Sequence, residues 1–210
     1  MEDKALDGTE IYVSVTEGIT EDHIKLAMDR LPGWRREYVE KRALSARIEG
    51  TFSYLLLQKL TLERFGLSDT ARFTYGKYGK PYYSDIDVFF SISHCKTAVA
   101  AAVSKKEIGV DIMDDRRVNE NIALRICSDL ELEEFREAKD KQRFLLKLWC
   151  KKESIVKKSG LGFSRGFKTV ETGKNHCRIF SADKYTVSAA VDPGDTVNLT
   201  EISFTELICR

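Results

Sequence analysis

The chain has 210 residues, enough for one domain or two small ones with a real core. Hydrophobic residues make up 42% and charged residues 32%, as in soluble globular proteins, and no stretch approaches the roughly 18 apolar residues of a membrane span. With 34 basic and 33 acidic residues the formal net charge is +1, which excludes a bulk basic field for nucleic acid and leaves only local anion sites.

The start, Met1-Glu2-Asp3-Lys4, has no apolar run and does not read as a signal peptide. Ile11 to Val15 alternates and predicts a strand. A basic helical stretch follows over Trp34 to Arg47. Ile48, Phe52, Leu55, Leu56 and Leu60 then recur at helical spacing, and Gly66 is the stop. Lys77 to Tyr83 reads as a Gly-Pro loop. Val88–Ile92 and Thr97–Val103 read as two strands joined by a turn containing His94. After the polar break Lys105-Lys106-Glu107, Ile108–Ile112 is the next strand. Ser128 and Glu131 have capping-box spacing, and a helix is expected over Gln142–Lys158, ending at Gly160. Cys177–Phe180, Tyr185–Val191 and Val197–Phe204 complete the strands, with Pro193-Gly194 as a turn. Each half is thus a strand, helices, then further strands, without a residue-level repeat. We divide the chain at 106/107.

The five cysteines, Cys95, Cys127, Cys150, Cys177 and Cys209, are odd in number and scattered, with no C-x-x-C. That argues against a zinc site or a disulfide framework and for reduced thiols in a cytoplasm.

Two segments carry chemistry. Gly109-Val110-Asp111-Ile112 is an apolar strand with one acid, and that acid reads as either a strand-end cap or a metal ligand. Trp149, Glu153 and Lys157 are spaced four apart on one helix face. Taken alone, Glu153 and Lys157 could be an ordinary exposed pair worth about 0.3–0.5 kcal/mol. Taken with Asp111, they form two carboxylates and a free lysine, a set suited to magnesium and a phosphate. Magnesium takes oxygen ligands and is commonly held by one or two carboxylates plus substrate phosphates.

Gly-Val-Asp-Ile at 109–112, W-x-x-K-E-S-x-x-K at 149–157, Gly79-Lys80-Pro81 and Ser91-Ile92-Ser93-His94 occur in one order. Together they resemble the 4′-phosphopantetheinyl transferases, specifically the larger single-chain type that activates nonribosomal peptide and polyketide synthases. The resemblance runs from about Trp34 to Phe163. It implies an α+β pseudo-dimer of two similar halves, each a small, mainly antiparallel sheet packed with helices. Coenzyme A would lie between them, bound by residues 1–106, with metal and catalytic residues in 107–210. The implied reaction moves the phosphopantetheine arm of coenzyme A onto a serine of an acyl or peptidyl carrier protein and releases 3′,5′-ADP.

By the same resemblance, Asp111 and Glu153 hold magnesium, or manganese. Glu153 or a water beside it is the base, and Lys157 stabilises the departing phosphate. Lys152 takes a phosphate or structural role. Ser93 and His94 face the phosphates, and Lys80 and Pro81 face the adenine end. Arg47, with Arg35 or Arg36, is a candidate for the 3′-phosphate, since arginine makes bidentate contacts with such a dianion. Arg116 and Arg117 form either a docking patch for an acidic carrier protein or a solvated loop. A monomer is expected. Met113 departs from the family, many of whose members carry a third acid there. A thioether does not ligate magnesium, a hard cation. Met113 is the one feature favouring a non-catalytic coenzyme A- or carrier-binding module. Retention of Asp111, Glu153 and Lys157 argues for an enzyme.

Overall fold

The computed structural model describes residues 8–67, 72–115, 118–162 and 166–209. Arg116, Arg117 and Phe163 lie outside the described residues.

The first half opens with strand β1 (Gly8–Val15), whose alternation buries Ile11 and Val13. Helices α1 (Glu21–Asp29), α2 (Gly33–Glu40) and α3 (Leu44–Phe65) follow, then β2 (Phe73–Tyr75), β3 (Pro81–Tyr83), β4 (Phe89–His94) and β5 (Ala98–Ser104). Helix α3 ends where expected, with Gly66 in the left-handed region at φ 68°. The second half runs β6 (Gly109–Asp114), α4 (Ala123–Ile126), α5 (Asp129–Glu137), α6 (Lys141–Ser159), β7 (His176–Ser181), β8 (Tyr185–Val191), β9 (Thr196–Glu201) and α7 (Phe204–Ile208).

The fold is α+β, with small sheets packed against helices as expected. One sheet has the order β4-β5-β1-β9 and another the order β6-β8-β7, while β2 and β3 form a separate hairpin. Within each half the first strand pairs antiparallel with the last of its three, and that strand pairs antiparallel with the middle one. β4-β5-β1 and β7-β8-β6 are therefore the same arrangement. β9 breaks the correspondence, because it leaves the second half and pairs parallel to β1.

Three local expectations are corrected. The basic stretch over 34–47 is two helices, since the chain turns between Glu40 and Leu44, and this puts Arg47 in the first turn of α3. His94 is the last residue of β4 and not part of the turn. The final strand stops at Glu201, because Ser203 caps a helix by accepting the Thr205 N–H, with Glu206 reaching back to complete a capping box.

Between the sheets lies a core of small residues. Ala98, Ala100 and Ala102 of β5 and Ile11 and Val13 of β1 meet Val110 and Ile112 of β6 and Val187 and Ala189 of β8. Strand alternation then sends Asp111 and Met113 to the other side of β6. That side is covered by α6, and Gly109 permits the approach. A Cβ there would sit 2.0 Å from the Ser154 carbonyl oxygen and 2.3 Å from the Lys158 nitrogen. The glycine of the strand motif is thus the contact that lets the helix motif lie beside Asp111.

Candidate active site

The edge strands of the two sheets, β4 and β6, meet through side chains. Ser91 Oγ accepts from the Val110 N–H at 3.0 Å, and Ser93 Oγ accepts from the Ile112 N–H at 3.3 Å. Ser93 Oγ donates to Asp111 Oδ1 at 2.9 Å. From α6, Lys157 Nζ reaches both Asp111 Oδ1 and Ser93 Oγ at 2.7 Å. Asp111 is buried, so this ion pair sits at the floor of a cleft and not on the surface.

One turn back on α6, Glu153 is held by Trp149, whose Nε1–H donates to Glu153 Oε1 at 3.3 Å. Burial pushes the Glu153 carboxyl above its ordinary value, and the facing Asp111 carboxylate adds to this. Lys157 and the Trp149 bond pull it partly back. Two carboxylates facing one another across an open cleft fit a divalent cation, which would relieve the repulsion that Asp111 exerts on Glu153. Among the described residues no group of three or more His, Cys, Asp or Glu side chains is gathered for a metal. Met113 is buried with the cluster of Ala123, Leu145 and Cys150 and also contributes to the lining of the cleft.

The cleft has a volume of about 780 Å³ and is lined by Asp111, Glu153, Lys157, Ser93 and His94, with Ser45, Ile48 and Glu49 of α3 opposite. Two branches leave it. A branch of about 280 Å³ runs past Glu153 and Lys157 between Tyr78, Pro81, Phe90 and Val156. Another of about 300 Å³ runs past His94 and Glu49 to Arg35, Arg42, Tyr38 and Tyr75. Pro81 lines both branches.

Arg35 was one of two neighbouring candidates for an anion, and the structure separates them. Arg35 is buried, with its guanidinium against the Tyr38, Tyr54 and Phe73 rings. It gives one hydrogen bond to the Gly50 carbonyl, at 2.9 Å, while its Nε has no partner. Burial lowers its pKa, the expected cost of a cation without a counter-charge. Arg36 instead is half exposed and paired with Asp29 and Glu40.

Three residues expected to contact the ligand have protein partners of their own. Arg47 lines none of these three cavities; its Nη2 donates to the Glu40 and Arg42 carbonyls and ties α2 to α3. Lys80 lines the 280 Å³ branch, but its ammonium is bound by Glu107 and by the Ile108 and Lys158 carbonyls. It therefore clamps the β2–β3 loop to the end of α6. Lys152 is fully buried, bonded to Glu131 at 2.6 Å and to the Ile126 and Phe167 carbonyls at 2.8 and 2.9 Å. Of the two roles expected for Lys152, this geometry supports the structural one.

Sequence reading missed Glu49, Arg42 and the task of Asp114. On the opposite face from Asp111, as alternation requires, Asp114 Oδ1 accepts from Thr97 N–H at 3.1 Å and Thr97 Oγ1 at 2.7 Å. Burial opposes its charge, but bonds from Cys95, Thr97 and the Lys96 N–H hold its carboxyl below the ordinary value. Asp114 thereby pins the turn that follows His94. Its only sequence signal was an acid directly after an apolar strand.

Residues 107–193, which hold Asp111, Glu153 and Lys157, match the family model of the 4′-phosphopantetheinyl transferase superfamily. The match covers the second half of the chain and is a similarity to that superfamily. It is 33% identical over 115 residues to a 4′-phosphopantetheinyl transferase of Bacillus subtilis, covering 52% of this chain and 51% of that protein. It is 37% identical over 97 residues to the 4′-phosphopantetheinyl transferase Sfp of Bacillus subtilis (strain 168), covering 44% and 43%. A crystal structure of Thermotoga maritima holo-[acyl-carrier-protein] synthase aligns with 40% of this chain and 61% of that one, at 21% identity and a TM-score of 0.36. The chain spans about half the length of the curated relatives it matches. No helix among the described residues is long and apolar enough to cross a membrane.

Proposed function

We propose that this chain is a phosphopantetheinyl transferase, moving the 4′-phosphopantetheine arm of coenzyme A onto a serine of an acyl or peptidyl carrier protein. The observation that carries the reading is the meeting of Asp111, Glu153, Lys157 and Ser93 at one cleft floor where the two halves join. In the reaction the serine oxygen bonds to the β-phosphorus, the bond from that phosphorus to the bridging oxygen breaks, and 3′,5′-ADP leaves. Glu153 receives the serine proton. Its raised pKa makes it a better base than a free carboxylate. Trp149 fixes the position of one of its oxygens. Lys157 offsets charge on the departing phosphate.

Asp111 and Glu153 would hold magnesium or manganese, which when bound supplies positive charge to the pyrophosphate oxygens. Arg35 and Arg42, with His94 at the mouth of their branch, are suited to the 3′-phosphate, and Pro81 to the adenine. The division into a coenzyme half and a catalytic half falls in the link between β5 and β6. The five free cysteines fit a reducing compartment such as the cytoplasm.

The alternative is a non-catalytic coenzyme A- or carrier-binding module, and it rests on Met113 alone. Mass spectrometry of an apo carrier protein incubated with the chain, coenzyme A and magnesium decides between them. Gain of one phosphopantetheine arm, lost in Asp111→Ala, supports transfer. Binding of coenzyme A without any mass gain on carrier proteins of several kinds supports the module.

A further inference from the structure

His94 ends β4 with its side chain 55% exposed. Its Nε2 lies 3.2 Å from Glu49 Oε2, which comes from the first turns of the 22-residue helix α3. Pairs with this much exposure add little to folding stability. Glu49 is also an odd residue for its place. It is the single carboxylate among the described residues lining the branch that holds Arg35 and Arg42. A bare carboxylate there would repel an incoming phosphate, so stability and charge complementarity both argue against it. The pairing resolves the conflict. Engaged by His94, the carboxylate is directed at the ring, and its place on α3 puts the imidazole where the main cleft and the basic branch meet.

We propose that Glu49 is a positioning residue that orients the His94 ring for its contact with an anionic group of the coenzyme. This rests on the reading that the cleft takes coenzyme A. Glu49 touches the ligand only through His94. Its loss should then be felt in coenzyme affinity and KM more than in kcat, and only while His94 is present. Glutamine keeps an oxygen that accepts from the ring and should replace glutamate.

Two measurements test this. The chain has three histidines, so ring 15N–1H spectra of the free protein are readily assigned, His94 by its loss in His94→Ala. Glu49→Ala should shift the His94 ring signals, and Glu49→Gln should largely preserve them. Calorimetric titration with coenzyme A then gives a double-mutant cycle. Glu49→Ala should weaken binding roughly fivefold or more in the wild-type background and have no further effect in His94→Ala. Unmoved ring signals, an equal loss in both backgrounds, or tighter binding in Glu49→Ala would each overturn the proposal. If the wild-type protein fails to bind coenzyme A, the functional reading falls, and the ring spectra still report whether Glu49 orients His94.

Discussion

Two lysines of one helix, five residues apart, carry the same charge to opposite fates. Lys152 is fully buried, with Glu131 and two carbonyls around its ammonium. Lys157 is about one-third exposed, and its ammonium rests on Asp111 and Ser93 at the floor of an open cleft. The first pair is closed on every side. Glu131 also accepts from the Ser128 N–H at 2.8 Å, as the cap of α5, and from Thr172 Oγ1 at 2.7 Å. The second pair has an acidic neighbour, Glu153, and room for a ligand. A saturated buried pair holds elements in register and has no valence left for a substrate. An under-satisfied pair beside a cavity has a valence to offer, and chemistry needs that.

The largest effect that would test the contrast is at the closed pair. Glu131→Ala leaves the Lys152 ammonium buried without a counter-charge and removes the reciprocal half of the α5 capping box, so urea unfolding at pH 7 should show a loss of about 3–5 kcal/mol. The double variant Glu131→Leu with Lys152→Met should recover much of it. Burial opposes the Glu131 charge, yet bonds from Lys152, Ser128 and Thr172 hold its carboxyl below the ordinary value. A depressed carboxyl stabilises above its unfolded pKa, and that contribution fades as pH falls through the folded one. The gap between wild type and Glu131→Ala should therefore narrow in acid. A harmless Glu131→Ala would dissolve the distinction between the two lysines.

Met113→Glu comes next. Met113 is buried in the cluster with Ala123, Leu145 and Cys150 and also lines the cleft, so its replacement puts a charge at the border of that core. A melting curve should show a loss on the order of 3 kcal/mol, with no fall in the magnesium concentration for half-maximal transfer. A lower magnesium requirement would place position 113 at the ion.

Lys157→Met tests the open pair. Asp111 loses its cation but keeps Ser93, so the metal-free protein should lose about 1–3 kcal/mol. Because the ammonium and a divalent cation compete for the same carboxylate, added magnesium should raise the melting temperature of Lys157→Met more than that of wild type. An equal shift in both would mean that the metal does not use Asp111.

The smallest effect has the opposite sign. Glu153 is raised by burial and then by Asp111, so its ionised form burdens the fold. A carboxyl raised in the folded state stabilises below its unfolded pKa, and that contribution is lost as pH rises through the folded one. Glu153→Gln should therefore slightly stabilise the metal-free protein at pH 7, with the gain shrinking in acid. Transfer should be lost in the same variant. A destabilised Glu153→Gln would mean that Glu153 serves the fold.

Much of this fold is legible locally. Gly66 and Gly160 stop α3 and α6 in the left-handed region, and Ser128 and Glu131 form the capping box their spacing announced. α7 escaped because Phe204 and Ile208 continue an apolar pattern, and the cap at Ser203 was read as part of a strand. The exit of β9 from its own half is a non-local pairing with a strand some 190 residues away, and no short-range signal encodes it.

The sequence by itself determined which residue types stand near one another along the chain: an acid in the β6 strand, an acid and two lysines on α6, a serine–histidine strand end. Periodicity put Asp111 off the core face and Glu153 with Lys157 on one side of the helix. Tertiary structure decided which of those charges are available. It closed Lys152 around Glu131, spent Lys80 and Arg47 on carbonyls of neighbouring elements, and brought Arg35, Arg42 and Glu49 to a branch of the cleft. The physical reason is that covalent spacing sets direction along an element, whereas the partner a charge finds depends on what packs against it.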